Sequence, residues 1–303
     1  MEYTVTNLDQ SRGLWFRQFT FPAFQHLLFQ KDIETPQSKV VAVGAYLDAK
    51  PVGLALARIH DTDAQADFLS VYVEKSHRGQ GLALKMGTAL ESTLKARGCA
   101  SIRVEFENNR PMTASILGLL DKGGYPEPEA CAMIGRCHDV RQTNIPFVKK
   151  NLLPAAYEIL LWKEVPESEK ERIRHESQEN PWFPETLSPF NEIHIQEPDT
   201  CLGLRIRDSG EVIGWHITHR ISNDTLRYTA TFVRESVQHL GLGVSLIGEG
   251  IRRHIAHPDQ ELKKVTFITL MSMPKAVAFF TRHIRSHIEE FNESMQSIKR
   301  LGD

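Results

Sequence analysis

The chain has 303 residues, a length that suits two domains better than one. Hydrophobic residues make up 41% and charged residues 24%, which excludes a disordered or fibrous chain. The 38 acidic and 36 basic residues leave a formal net charge of −2, which excludes a general nucleic-acid binder.

No stretch approaches the roughly 18 apolar residues of a membrane span, and the opening MEYTVTNLDQ lacks the apolar core of a secretory signal. A cytoplasmic-type chain is therefore expected. Cys99, Cys131, Cys137 and Cys201 form no CxxC pair, so buried reduced thiols are expected rather than disulfides or a metal site.

In chain order, residues 40–61 (VVAVGAYLDAKPVGLALARIHD) read as two strands around the turn at Asp48-Ala49-Lys50-Pro51. A third strand, DFLSVYV (67–73), runs into a loop with Gly79 and Gly81. Residues 83–97 carry apolar side chains at spacings of three and four and predict a helix. A strand at 101–106 and a helical stretch at 112–124 follow. Residues 138–156 are polar and contain two prolines, which places a domain boundary near Lys150, giving domains 1–150 and 151–303. The same order then recurs: a hairpin over 201–221 around Asp208-Ser209-Gly210, a strand at 226–233, a Gly loop, a helix at 244–257, a strand at 264–270 and a helical stretch at 274–291.

The recurrence has a fixed offset of 160 residues. YVEKSHRGQGLA (72–83) aligns with FVRESVQHLGLG (232–243), matching Val73 with Val233, Ser76 with Ser236, Gly81 with Gly241 and Leu82 with Leu242. A strand, a Gly-rich loop and a helix N-terminus together make a phosphate cradle. The first-turn N–H groups point at the ligand, the helix dipole adds positive potential, and glycine lets the backbone come close. Neither copy fits the dinucleotide pattern G-x-G-x-x-G/A, since Leu84 and Leu246 stand at its last position, and neither has the G-K-[ST] of a P-loop.

Both copies satisfy Q/R-x-x-G-x-G/A, as Arg78-Gly79-Gln80-Gly81-Leu82-Ala83 and as Gln238-His239-Leu240-Gly241-Leu242-Gly243. On this motif the chain resembles the GNAT superfamily of N-acetyltransferases in a tandem, two-domain form. The likeness covers most of the chain and is clearest over 40–125 and 200–285. It implies an α+β fold of two tandem GNAT-like domains, each a mixed, mostly antiparallel sheet flanked by helices. Acetyl-CoA would be the cofactor, bound by the two loops and by the backbone of Val71, Tyr72 and Val73 and of Thr231, Phe232 and Val233. The implied reaction is direct acetyl transfer to a cationic primary amine. A weaker resemblance to bacterial effector acetyltransferases makes a protein lysine the expected acceptor and a host cytosol an expected compartment.

The resemblance also implies catalytic positions. The family's glutamate base falls at Asp67 in the first copy and at Arg227 in the second, and arginine cannot serve as a base. A base on the next strand falls at Glu105. The family's tyrosine acid falls at Leu120 and Phe280, so both copies depart from that pattern. His219 and Tyr228 are the candidate substitutes in the second copy; His216 and His219 could equally be core residues satisfying local hydrogen bonds.

Charge points to the acceptor. Residues 164–199 hold ten acids against Lys170, Arg172 and Arg174, and Asp61, Asp63 and Asp67 crowd the equivalent approach in the first copy. Such walls attract a cation, or are simply solvated faces. His283 and His287 lack a third ligand and are expected on a polar helix face, so no metal is expected. One copy is expected to catalyse and the other to dock or orient the acceptor. The competing reading is an acyl-CoA sensor or protein-interaction module that has lost catalysis in one or both domains.

Overall fold

The computed structural model describes residues 2–9, 12–29, 39–60, 63–150 and 152–302. In the first half of the chain lie β1 (Tyr3–Asn7), α1 (Gly13–Phe16), β2 (Val40–Leu47), β3 (Lys50–Ile59), β4 (Gln65–Val73), α2 (Leu82–Ala96), β5 (Ser101–Glu107), α3 (Thr113–Lys122) and β6 (Glu129–Cys137). The second half holds β7 (Tyr157–Leu161), α4 (Glu167–Glu179), β8 (Leu202–Ile206), β9 (Val212–Arg220), β10 (Thr225–Val233), α5 (Leu242–Ile255), β11 (Lys264–Leu270), α6 (Pro274–His283) and β12 (Glu290–Arg300).

The α+β expectation holds, and each half builds the same sheet. In unit 1 the order is β1-β2-β3-β4-β5-β12, and in unit 2 it is β7-β8-β9-β10-β11-β6. Each sheet is an antiparallel meander with one parallel pair, β4 with β5 and β10 with β11. The closing strand of each is antiparallel and comes from the other half of the sequence: Ser294–Arg300 pair with Glu107–Ser101, and Ala132–Cys137 pair with Leu270–Val265.

This exchange sets the unit limits at Met1–Cys131 plus Glu293–Asp303, and at Ala132–Asn292. The division therefore differs from a cut near Lys150. The polar stretch that suggested that cut belongs to unit 2, where Ile145 and Val148 are buried against Ile247 and Ile251. The helical stretch expected over 274–291 also ends early, at His283. A 3-10 turn at Arg285–His287 follows, and β12 begins at Glu290.

The cores explain the helix positions. Leu82, Met86, Leu90 and Leu94 recur every fourth residue along α2, and all four are buried against Val41, Val43, Ala55 and Ala57. Burial of side chains of this size contributes about 1.5–3 kcal/mol each. The opposite face of the sheet is closed by Leu8, Phe16, Phe19, Leu27 and Leu28. In unit 2, α5 buries Leu242 and Leu246 on one face of the sheet, and Trp162, Ile173, Phe183 and Trp215 fill the other. All four cysteines are free thiols; Cys99, Cys137 and Cys201 are buried, and Cys131 is part-buried. No helix among the described residues is long and apolar enough to cross a membrane.

Candidate acetyl-CoA and acceptor sites

The two units open their sheets at equivalent points. β4 pairs with β5 only from Gln65 to Phe68, and β10 with β11 only from Thr225 to Tyr228. Next comes a β-bulge: Leu69 is the extra residue against β3, and Thr229, 160 positions on, is the extra residue against β9. A bulge re-aims the strand and ends pairing. Beyond it, Val71–Val73 and Thr231–Val233 keep their antiparallel partner on one side while the parallel partner has diverged. Their free backbone edge can take the amide groups of an extended ligand.

The loops repeat with the same precision. Arg78 Nε donates to the Val73 carbonyl at 2.9 Å, and Gln238 Nε2 donates to the Val233 carbonyl at 2.9 Å. The first motif residue thus ties the loop to the end of its strand. Gly81 and Gly241 are the N-caps of α2 and α5, both left-handed, with φ of 73° and 72°. That conformation favours glycine, and a Cβ at either would point into open space. The Gly79, Gln80 and Gly81 N–H groups donate to no backbone carbonyl among the described residues. Leu82 and Ala83, and Leu242 and Gly243, add their first-turn groups. His239 and Leu240 complete the second loop and are exposed. In the first loop this makes a glycine-walled cradle of free N–H groups at a helix N-terminus, which fits a pyrophosphate; in the second the Gly241 N–H donates to the Gln238 carbonyl at 3.3 Å, and the first turn of α5 offers the donors.

The expected catalytic residues fare differently. Asp67 is held on both oxygens: Arg103 Nε and Nη2 reach Oδ1 at 2.9 and 2.8 Å, and His60 Nε2 lies 2.7 Å from Oδ2. A carboxylate engaged in this way serves cross-strand ion pairing and is not poised over a substrate. Asp63 lies 3.6 Å from His60, and Asp61 falls outside the described residues. Glu105 is exposed on β5, one residue past its last pair with β4, and accepts from Ser294 Oγ at 2.7 Å.

His219 is fully buried. Its Nε2 donates to the Asn191 carbonyl at 3.1 Å. Its Nδ1 accepts, with Thr229 Oγ1 at 2.7 Å and Arg227 Nη2 at 3.1 Å. Burial, and after it the neighbouring Arg227, lower its pKa, so it is a neutral ring with both nitrogens in use. Tyr228 points to the other face of the sheet and donates to His254 Nδ1 at 2.9 Å, while His254 Nε2 donates to the Leu262 carbonyl. Burial raises the Tyr228 pKa above the ordinary phenol value. His216, bonded to Thr231 at 2.7 Å, is core, as the local-bonding alternative held.

One acid that the sequence did not single out joins this group. Glu192 carries its carboxylate to Arg227, and its Oε2 lies 3.6 Å from His219 Nδ1. It belongs to the acidic stretch 164–199, in which many other acids are tied up in pairs: Glu169 and Glu176 with Arg172, Glu167 with Arg174, and Asp199 with Lys163. Glu197, Asp199 and His257 bring ligand atoms within 4.8 Å of one another. His257 Nδ1 accepts from the Asp259 N–H at 3.1 Å, which leaves the proton on Nε2, the atom facing Glu197 at 3.5 Å. Nε2 makes no hydrogen bond among the described residues, and a nitrogen that carries its proton is no metal donor. His283 and His287 do not share a helix, because α6 ends between them.

The acetyltransferase (GNAT) family profile matches residues 8–115 and 163–284. The chain belongs to this family. Among solved structures, it is similar to a tandem GNAT protein from the clavulanic acid biosynthesis pathway, at 11% identity and a TM-score of 0.63, over 100% of this chain and 99% of that one. It is also similar to a GCN5-related N-acetyltransferase from Sphaerobacter thermophilus, at 14% identity and a TM-score of 0.56, over 99% and 96%. A third, a glucosamine N-acetyltransferase region in a fungal multi-domain β-N-acetylglucosaminidase, gives 13% identity and a TM-score of 0.66, over 98% of this chain and 38% of that one. These likenesses show a shared tandem GNAT fold. No curated protein matches the chain in sequence.

Proposed function

We propose that this GNAT protein is an acetyl-CoA-dependent N-acetyltransferase acting on a cationic primary amine, with a protein lysine as the acceptor. The observation that carries the reading is the paired loop geometry: in each unit a motif side chain grips the strand end at 2.9 Å beside a left-handed glycine N-cap. When bound, acetyl-CoA supplies an acetyl thioester. The protein's part is to seat the pyrophosphate on the helix N-terminus, line up the pantetheine along the free strand edge, and bring the amine to the bulge. The acidic stretch 164–199, which reaches β10 through Glu192, supports a cationic acceptor.

We assign turnover to unit 2 and acceptor orientation to unit 1. Support comes from the acidic stretch that meets β10 at Glu192. The test is thiol release by the full chain with acetyl-CoA and an amine, using Gly81→Trp and Gly241→Trp to fill one loop each. Gly241→Trp should abolish amine-dependent release, and Gly81→Trp should leave most of it with peptide lysine. Equal losses from both variants would contradict the division of labour.

Two observations favour a second reading. Glu105 is exposed just past the point where β4 and β5 part, which supports a role for its carboxylate in unit 1. Asp67, His219 and Tyr228 are all engaged with protein groups, which suits a binding module. Loss of release in Glu105→Gln with Glu192→Gln intact would assign turnover to unit 1. Saturable binding of acetyl-CoA without amine-dependent release would assign the chain to the sensor class.

A further inference from the structure

We propose that Glu192 is the residue of unit 2 that recognises the ammonium group of the acceptor. The inference rests on the reading of unit 2 as the transferring unit, and it assigns the determinant of substrate class within that site.

Glu192 sits in the left-handed region, at φ 47° and ψ 41°. That conformation costs free energy for any side chain with a Cβ, and glycine or asparagine would make the same turn with less strain. The residues around Glu192 hold it there. Asn191 is tied by its carbonyl to His219 Nε2 at 3.1 Å, and the Ile195 N–H closes on the Glu192 carbonyl at 3.0 Å. Strain of this kind is kept where the side chain has a task.

The carboxylate is aimed. Arg227 binds Oε2, and Arg227 is itself fixed by donating from Nε to Thr229 Oγ1 at 3.0 Å and from Nη2 to His219 Nδ1 at 3.1 Å. Oε1 has no partner among the described residues, and the side chain is 46% exposed. Thr229 is the bulge residue, at the point where β10 leaves β11. An open carboxylate oxygen is therefore held beside the opening of the sheet by a chain of bonds that ends on that opening. His219 behind it is neutral, so Arg227 is the one cation on this carboxylate among the described residues, and it takes only Oε2. An ammonium, with three donors, is the group such an oxygen selects.

The experiment uses the full chain carrying Gly81→Trp, acetyl-CoA, and two acceptors. One is Nα-acetyl-lysine amide, charged at neutral pH; the other is hydroxylamine, uncharged there. Glu192→Gln and Glu192→Gly are each expected to raise KM for the lysine amide about tenfold, while KM for acetyl-CoA and for hydroxylamine stays within about twofold. Glu192→Gly relieves the backbone but leaves Arg227 without its partner, so Tm is measured alongside; a loss confined to the lysine amide, with KM for acetyl-CoA and hydroxylamine unchanged, is not a folding defect. An unchanged KM for the lysine amide in Glu192→Gly, or equal losses for both acceptors, would overturn the proposal. If the parent chain turns over no amine, the transfer reading fails separately. The proposal is then decided by NMR titration of the CoA-loaded chain with lysine amide, where equal affinity for parent and Glu192→Gly would overturn it.

Discussion

Asp67 and Arg227 stand at the same place on their strands, two positions before the bulge, and carry opposite charge. Each carries an ion pair in its own unit, Asp67 with Arg103 on the paired part of β5 and Arg227 with Glu192 ahead of β8. The position has kept an ion pair while exchanging its sign. An ion pair accounts for Asp67 without any catalytic role. Asp67→Asn should therefore destabilise unit 1 by about 1–3 kcal/mol, since it leaves a part-buried guanidinium short of its partner. Thermal unfolding checks this. Unchanged stability with lost thiol release would instead make Asp67 a base.

The anchor from the loop to the strand end predicts a clean binding defect. Gln238→Ala removes one donor to the Val233 carbonyl and trims only an exposed side chain. A hydrogen bond of this kind is worth about 0.5–1.5 kcal/mol net, so affinity for acetyl-CoA at the second loop should fall about two- to tenfold with little change in Tm. Calorimetry on the single variant and on Arg78→Ala measures the two loops separately.

Unit 2 carries a built-in acid sensitivity. Burial lowers the pKa of both His216 and His254 from the ordinary 6.5 to about 4. Both rings are neutral in the folded state, and His216 Nε2 has no partner that would welcome a proton. A folded pKa below the unfolded one means that the unfolded chain binds the extra protons, so stability is full above 6.5 and falls as pH drops toward 4. At about pH 5 the loss should be about 2 kcal/mol for each histidine. Urea midpoints between neutral pH and pH 5 check it, and a flat profile would contradict the neutral assignment.

The exchanged closing strands predict that the halves are not independent. Residues 1–150 lack β12, so β5 would end the sheet as an unpaired edge. Residues 151–303 lack β6, and with it the partner of β11. Each half should aggregate or remain unfolded alone, and co-expression should recover soluble complex. Two-dimensional NMR of the separate halves reads this directly, and a dispersed native spectrum from either would contradict it.

Much of this was legible in the sequence. The hairpins, the strands entering each loop, α2, α5 and the loops themselves follow from apolar spacing and a 160-residue repeat. β6 and β12 were not legible for a physical reason. In EFNESMQSIKR the buried positions include Ser294 and Ser297, which are satisfied by Glu105 and by the Pro126 carbonyl, so no apolar alternation marks the strand. The exchange of strands is likewise a pairing choice that no local pattern encodes. Of the site, the cofactor loops were readable because their chemistry is local. Glu192 was not, because it reaches Arg227 across 35 residues and through a left-handed backbone that glutamate rarely adopts. His219 was named as a base from its residue type. Only the donors around it show that both of its nitrogens are occupied.

The central claim is that two equivalent loops, each anchored to its own strand end, both hold acetyl-CoA. Calorimetric titration of the purified full chain with acetyl-CoA tests it most directly. The account predicts two sites per chain, one removed by Gly81→Trp and the other by Gly241→Trp. A titration with no saturable heat would contradict it, and a single site untouched by one of the two variants would contradict the equivalence of the loops.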